Sequence, residues 1–221
     1  MFLQSKTLLP TSCADVQRMY NTFSDGEYCL SIAAGSRTAG ARIYCHDMNS
    51  CSPREYLTLP AGPDNNYSET YKSPACTTGL VKYHKIGVDL NSMTLNSWDW
   101  TFTSQSGMNS AADPCDSIPL FGRAFSCGSH PPGAAKIDLT GTGFYMEDTL
   151  QWRLVGYQAT TYSHARTAQT FYGECTGNCG GCVPQDDSRI SYLSYYADDA
   201  TQKVMPVAFD TMYDTNQCML P

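Results

Sequence analysis

Alternation of apolar and polar positions dominates this chain and predicts strands along most of its length. Tyr28, Leu30 and Ile32 form one short run after an Asp25-Gly26 turn, and Ile43 and Cys45 form the next. Tyr56-Leu57-Thr58-Leu59 is a third strand, ended by Pro60-Ala61-Gly62-Pro63. Asp64 to Cys76 is polar and irregular. Lys82 to Leu90 alternates, and Trp98-Asp99-Trp100-Thr101-Phe102 does so more cleanly, which puts Trp98 and Trp100 on one buried face. Ser104 to Pro114 is a loop, and Ala135 to Leu139 is a strand stopped by Gly141-Thr142-Gly143. Gln151 to Val155, Tyr157 to Tyr162, Thr170 to Tyr172 and Arg189 to Tyr196 continue the pattern.

A 3.6-residue period occurs once. Ser12 as N-cap, with Asp15 three residues on, opens a helix of about two turns whose Val16, Met19 and Tyr20 share a face. The expected fold class is therefore mostly β: a disulfide-rich extracellular β domain with one short N-terminal helix and long loops. Residues 1–11 read as a tail, 12–196 as the domain, and 197–221 as an acidic, loosely patterned extension.

Composition sharpens this. Among 221 residues, 42% are hydrophobic but only 16% charged, and 15 are tyrosine, a profile that suits an extracellular β protein. The net charge of −7 argues against a nucleic-acid partner, which needs a basic face. No run of about 18 apolar residues predicts a membrane span. The N-terminal MFLQSKTLLP is too short and too broken for a signal peptide.

Eleven cysteines spread from Cys13 to Cys218 read as a disulfide framework formed in an oxidising compartment, with one thiol left over. Cys115 and Cys127 bracket what looks like a disulfide-closed excursion. Asn66-Tyr67-Ser68 is a standard glycosylation sequon, which requires Asn66 to sit on an exposed loop.

A resemblance is carried by motifs in order. They are Ser12-Cys13-Ala14-Asp15-Val16-Gln17, Asp25-Gly26-Glu27-Tyr28, Ile43-Tyr44-Cys45-His46-Asp47-Met48 and Pro53-Arg54-Glu55-Tyr56-Leu57-Thr58-Leu59. Asn66 to Glu69, Ile86 to Met93, Cys115 with Cys127, Ile137 to Gly143 and Gly173 to Cys182 follow. Over roughly residues 12–195 the chain resembles the GON domain, the C-terminal module of one branch of the secreted ADAMTS metalloproteases. The opening motifs also resemble the start of fibrinogen-like domains, and that likeness implies a Cys13–Cys45 bond. Cys29 and Cys51 depart from the family pattern and read as an added pair. Cys76 is expected to join the Cys175, Cys179 and Cys182 cluster, whose other two members pair. Cys218, beyond the resembling region, is the candidate free or interchain thiol.

The parent proteases hold zinc on a His-Glu-x-x-His helix. His46, His84, His130 and His164 are each isolated, so no such site is written here. Cys175, Cys179 and Cys182 with Cys76 have zinc-compatible spacing, but among so many cysteines of a secreted type, disulfides are the expected use. Thr142 reads as a turn residue rather than a nucleophile. No cofactor is expected. The sequence candidates for calcium are the loop acids Asp186, Asp187, Asp198 and Asp199, with Asp210 and Asp214 after them.

The function expected is a non-catalytic secreted module that contacts an extracellular protein or copies of itself, docking in matrix or building an assembly. A carbohydrate-binding module is the alternative, with Trp98, Trp100, Trp152, Tyr192, Tyr195 and Tyr196 as candidate stacking rings. The third reading is the ancillary domain of a zinc metalloprotease whose catalytic domain is not in this chain.

Overall fold

The structure, a computed structural model, describes residues 9–32, 40–71, 79–107, 120–127, 130–185 and 190–192. Among the described residues it is mostly β, with one α-helix, and the chain divides into two compact units, residues 1–57 with 192–221 and residues 58–191.

In the first unit, helix α1 (Cys13–Tyr20) starts where Ser12 Oγ accepts the Asp15 backbone N–H at 3.1 Å. The reciprocal half of the capping box shifts by one residue, because the Asp15 carboxylate accepts from Thr11 N rather than Ser12 N. The helix ends at Asn21 in the left-handed region, φ 50°. Val16 is buried, but Met19 and Tyr20, expected on the same buried face, are exposed. Two turns are too short to carry that face across the unit, so only the first turn reaches the core.

Strands β1 (Gly26–Ser31) and β2 (Gly40–His46) pair antiparallel from Gly26↔Cys45 to Ser31↔Gly40, and β3 (Arg54–Thr58) pairs with β2 through Tyr44↔Tyr56 and His46↔Arg54. Ala41, Ile43 and Cys45 alternate inward on β2 and are buried, as are Cys13, Val16, Leu30, Met48, Tyr56 and Leu57. Glu55 ties strand to helix by accepting the Cys13 N–H at 2.8 Å.

In the second unit a 3-10 turn (Pro63–Asn65) leads into β4 (Tyr67–Tyr71). Residues 64–65 and 67–71 of the polar stretch expected to be irregular thus form regular structure. Beyond it lie β5 (Gly79–Tyr83), β6 (Lys85–Asp89), β7 (Thr94–Asn96), β8 (Thr103–Ser106), β9 (Ala124–Ser126) and β10 (Gly133–Asp138). Then come β11 (Phe144–Met146), β12 (Trp152–Gly156), β13 (Thr160–Arg166), β14 (Thr170–Thr176), β15 (Gly180–Pro184) and β16 (Ile190–Tyr192).

The large sheet runs β12-β15-β9-β4-β10-β14-β13, with β5 beside β4 and β8 beside β5, while β6 pairs with β7 and β11 with β16. The expected single strand Lys82 to Leu90 breaks at His84 into β5 and β6. Trp98 to Phe102 is a turn, not a strand, and Trp98 is 67% exposed. Side-chain acceptors explain this: Asn96 Oδ1 takes the Trp98 N–H and Asp99 Oδ1 the Thr101 N–H, giving the backbone an alternative to a ladder. The expected loop at Ser104 contributes β8 instead.

Two clusters anchor this unit. Asn66 is fully buried: its Nδ2 donates to Gly62 O at 3.1 Å and its Oδ1 accepts the Asp138 N–H at 2.8 Å. Ala124, Ala135, Cys175 and Cys182 form a core of small residues against which Trp152 packs. The indole stacks on Phe171 with ring centroids 4.3 Å apart and donates Nε1–H to Tyr172 O at 3.2 Å. It lies over Gly173, where a Cβ would come within 2.5 Å of the ring.

Candidate functional site

In the first unit, the chain leaving α1 passes Phe23 and enters β1, and the loop after β2 returns beside it. Phe23, Ser24, Asp25, Asp47, Asn49 and Ser50 line an open hollow of about 550 Å³. The two segments are fastened by Asp25, whose Oδ1 accepts Met48 N–H at 2.8 Å and whose Oδ2 accepts Asp47 N–H at 3.2 Å. Asp25 Oδ2 also lies 2.8 Å from His46 Nδ1. The Met48 amide foremost, helped by His46 and the Asp47 amide, holds the Asp25 carboxyl below its ordinary value. His46 Nε2 faces Asp47 Oδ1 at 3.5 Å, and Arg54 binds the other Asp47 oxygen at 2.9 Å. Asp47 adopts φ 58°, which turns the chain sharply and aims its amide at Asp25.

Gln17 Nε2 reaches from α1 to donate to Met48 O and Ser50 O, joining the helix to the same loop. Met19 (45%), Tyr20 (38%) and Phe23 (52%) are exposed at this end of the unit. Cys51 follows Ser50 as an exposed free thiol. The resemblance had flagged the Cys45-His46-Asp47-Met48 run, but the role of Asp25 as the fastening was missed. The expected Asp25-Gly26 turn is not formed, since Gly26 already opens β1, and the turn signal says nothing of the distant partners of Asp25.

The disulfides depart from expectation in three places. Cys13 and Cys45 are joined, with Cα atoms 5.5 Å apart. Cys29 does not bond Cys51: it stands opposite Arg42 on β2, whereas Cys51 lies past the far end of that strand. Arg42, opposite Cys29, is already four strand residues, about 13 Å, from the end of β2 at His46, more than a disulfide spans. Cys29 is disulfide-bonded to a partner outside the described residues. Cys127 bonds Cys179 rather than Cys115, because Ser126↔Gly180 pairing brings Cys127 beside Cys179. Cys175 bonds Cys182 across adjacent chain segments, so none of the three clustered cysteines takes Cys76, and none is left for zinc.

The sequon is corrected too. Asn66 does not lie on the expected exposed loop: it is buried, and both its amide atoms are engaged. Thr142 is a turn residue: its N–H and Oγ1–H both go to Leu139 O, and Oγ1 accepts from Phe144 N. Of the candidate stacking rings, Trp152 is partly buried in the second unit, while Tyr157 and Tyr162, not singled out before, are strongly exposed there. Cys76, Cys115, Cys218, Asp186, Asp187, Asp198, Asp199, Asp210, Asp214, Tyr195 and Tyr196 lie outside the described residues. Among the described residues no three His, Cys, Asp or Glu side chains gather to hold a metal ion. None of the described helices is long and apolar enough to cross a membrane.

Comparison with known proteins places this geometry. The GON domain model matches residues 10–77 and 73–193. The chain belongs to the GON domain family. This GON domain is 30% identical over 206 residues, 83% of its length, to mouse A disintegrin and metalloproteinase with thrombospondin motifs 20. The human protein of the same name is 31% identical over 201 residues, 79% of the chain. A disintegrin and metalloproteinase with thrombospondin motifs gon-1 of Caenorhabditis elegans is 26% identical over 212 residues, 81% of the chain. The GON domain spans about a tenth of the length of each. No solved structure matches it.

Proposed function

We propose that this GON domain is a non-catalytic, secreted module that makes protein–protein contacts outside the cell, docking in matrix or joining an assembly. The observation that carries the reading is the exposed Phe23 in the lining of the hollow, with Met19 and Tyr20 also exposed at the end of α1 just before it in the chain. Large apolar and aromatic side chains left outside a well-filled core are the usual anchors of protein interfaces. The disulfides suit an oxidising compartment, and kinship with proteins about ten times longer suits an ancillary part of such a protein.

The test is retention of the purified chain on decellularised extracellular matrix. The reading expects saturable retention that is abolished by protease treatment of the matrix and weakened about tenfold or more by Phe23→Ser, the usual effect of truncating an interface anchor. Retention removed by glycosidases and insensitive to Phe23→Ser overturns it in favour of carbohydrate binding, for which Trp98, Tyr157 and Tyr162 are exposed rings.

A further inference from the structure

Arg123 sits just before β9, where its backbone N–H donates to Leu120 O and Ser68 Oγ. Its side chain is half-buried, with the guanidinium carbon 4.9 Å from the centre of the Phe125 ring. The Nε–H is sealed from solvent and has no acceptor, and no carboxylate pairs with the guanidinium among the described residues. A guanidinium N–H withdrawn from water without an acceptor is costly, and guanidinium is built to receive two oxygens of one anion.

The sheet register supplies a second arginine. β15 pairs with β9 through Cys182↔Ala124 and with β12 through Arg153↔Val183. Continuing the first ladder by one residue places Val183 between Arg123 and Arg153 on one face. That face is the less buried one: Arg123, Phe125, Val183, Val155 and Arg153 alternate with the buried Ala124, Ser126 and Cys182. Two strand spacings put the two arginine Cα positions roughly 10 Å apart, a gap their long side chains can close. Arg153 is exposed and makes no ion pair among the described residues. The neighbouring row, Phe125-Gly181-Val155, offers an apolar wall with no side chain at its centre.

We propose that Arg123 and Arg153 form an oxyanion-binding site on the β9-β15-β12 face, taking a sulfate or carboxylate group against Phe125. Local cationic recognition here is independent of the acidic net charge and of the contact surface in the first unit.

The test follows the arginine Nε–H resonances by NMR as sodium sulfate or sodium acetate replaces sodium chloride at constant ionic strength. The expected result is saturable movement of the Arg123 signal, with affinity at least about tenfold lower in Arg153→Gln, as loss of one charge-assisted partner implies. Arg123→Lys, which keeps the charge but loses the fork, is expected to abolish the saturable component of thermal stabilisation by the same anion. If that variant fails to fold, Arg153→Gln, on an exposed position, still decides. Tighter binding of sulfate assigns a sulfate ester, and tighter binding of acetate a carboxylate; either supports the site. A linear drift without saturation, or a saturable one unchanged in Arg153→Gln, overturns it.

Discussion

Replacing Gly173 by alanine puts the packing of the second unit to its hardest test. The added methyl would stand 2.5, 2.6 and 2.8 Å from Cε2, Cζ2 and Nε1 of Trp152, so the indole must leave its position. It cannot leave without giving up its stack on Phe171 and its hydrogen bond to Tyr172 O. Lost aromatic stacking is worth about 0.5–1.5 kcal/mol, the hydrogen bond about 1 kcal/mol, and residual overpacking about 1 kcal/mol. The sum is about 3 kcal/mol, and in a chain of this size each kcal/mol lowers Tm by about 2–4 °C, so a fall of about 6–12 °C is expected. Calorimetry or circular dichroism measures it.

A double-mutant cycle isolates the cause, because in a Trp152→Ala background Gly173→Ala meets no ring and is expected to cost under about 0.5 kcal/mol. A Tm within about 1 °C of the parent refutes the reasoning, since that is below any overpacking penalty. So does an equal cost in both backgrounds.

Four further outcomes are expected. Removing Cys13–Cys45 as an alanine pair costs more than removing Cys175–Cys182, about 4 against about 2 kcal/mol from loops of 32 and 7 residues, measured by urea unfolding. Asn66→Ala leaves the buried Asp138 N–H without its acceptor and costs about 1–3 kcal/mol, and protein secreted from eukaryotic cells shows no glycan mass at Asn66. The Asp25 carboxyl, held below its ordinary 3.8, stabilises the fold above that value, and the contribution is lost as pH falls through the lower folded value; a carbon-13 NMR titration of Asp25 follows it, and Asp25→Asn flattens the dependence. Iodoacetamide under native, non-reducing conditions labels Cys51, while Cys13, Cys45, Cys127, Cys175, Cys179 and Cys182 stay unmodified in peptide mass mapping.

Much of the fold was legible where one local signal ruled. Ser12 with Asp15 started the helix, alternation at Ile43 and Cys45 marked the buried face of β2, and the glycines around Thr142 made their turn. The reading failed where a local pattern met a competing bond. Trp98 to Phe102 alternates, yet Asn96 and Asp99 capture its amides and turn it outward. Asn66 satisfies a sequon rule that knows nothing of burial, and tertiary contacts claim both of its polar atoms. Cysteine pairing was the least legible, since partners follow strand neighbours: Cys115 is the nearby cysteine in sequence, but the sheet sets Cys127 beside Cys179. The Asp25 fastening and the Arg123–Arg153 pair depend on register between distant strands, which spacing along the chain does not encode.

The Cys127–Cys179 bond has a mechanical consequence. It closes a loop of 52 residues that contains β10 to β14, so a pull applied along the chain bypasses that stretch entirely. At about 3.5 Å per residue, about 180 Å of contour stays hidden from any stretching force while the bond is intact. Under tension the second unit is a tether with a shielded interior, and only after this one covalent link is reduced can unfolding of that interior add to its reach.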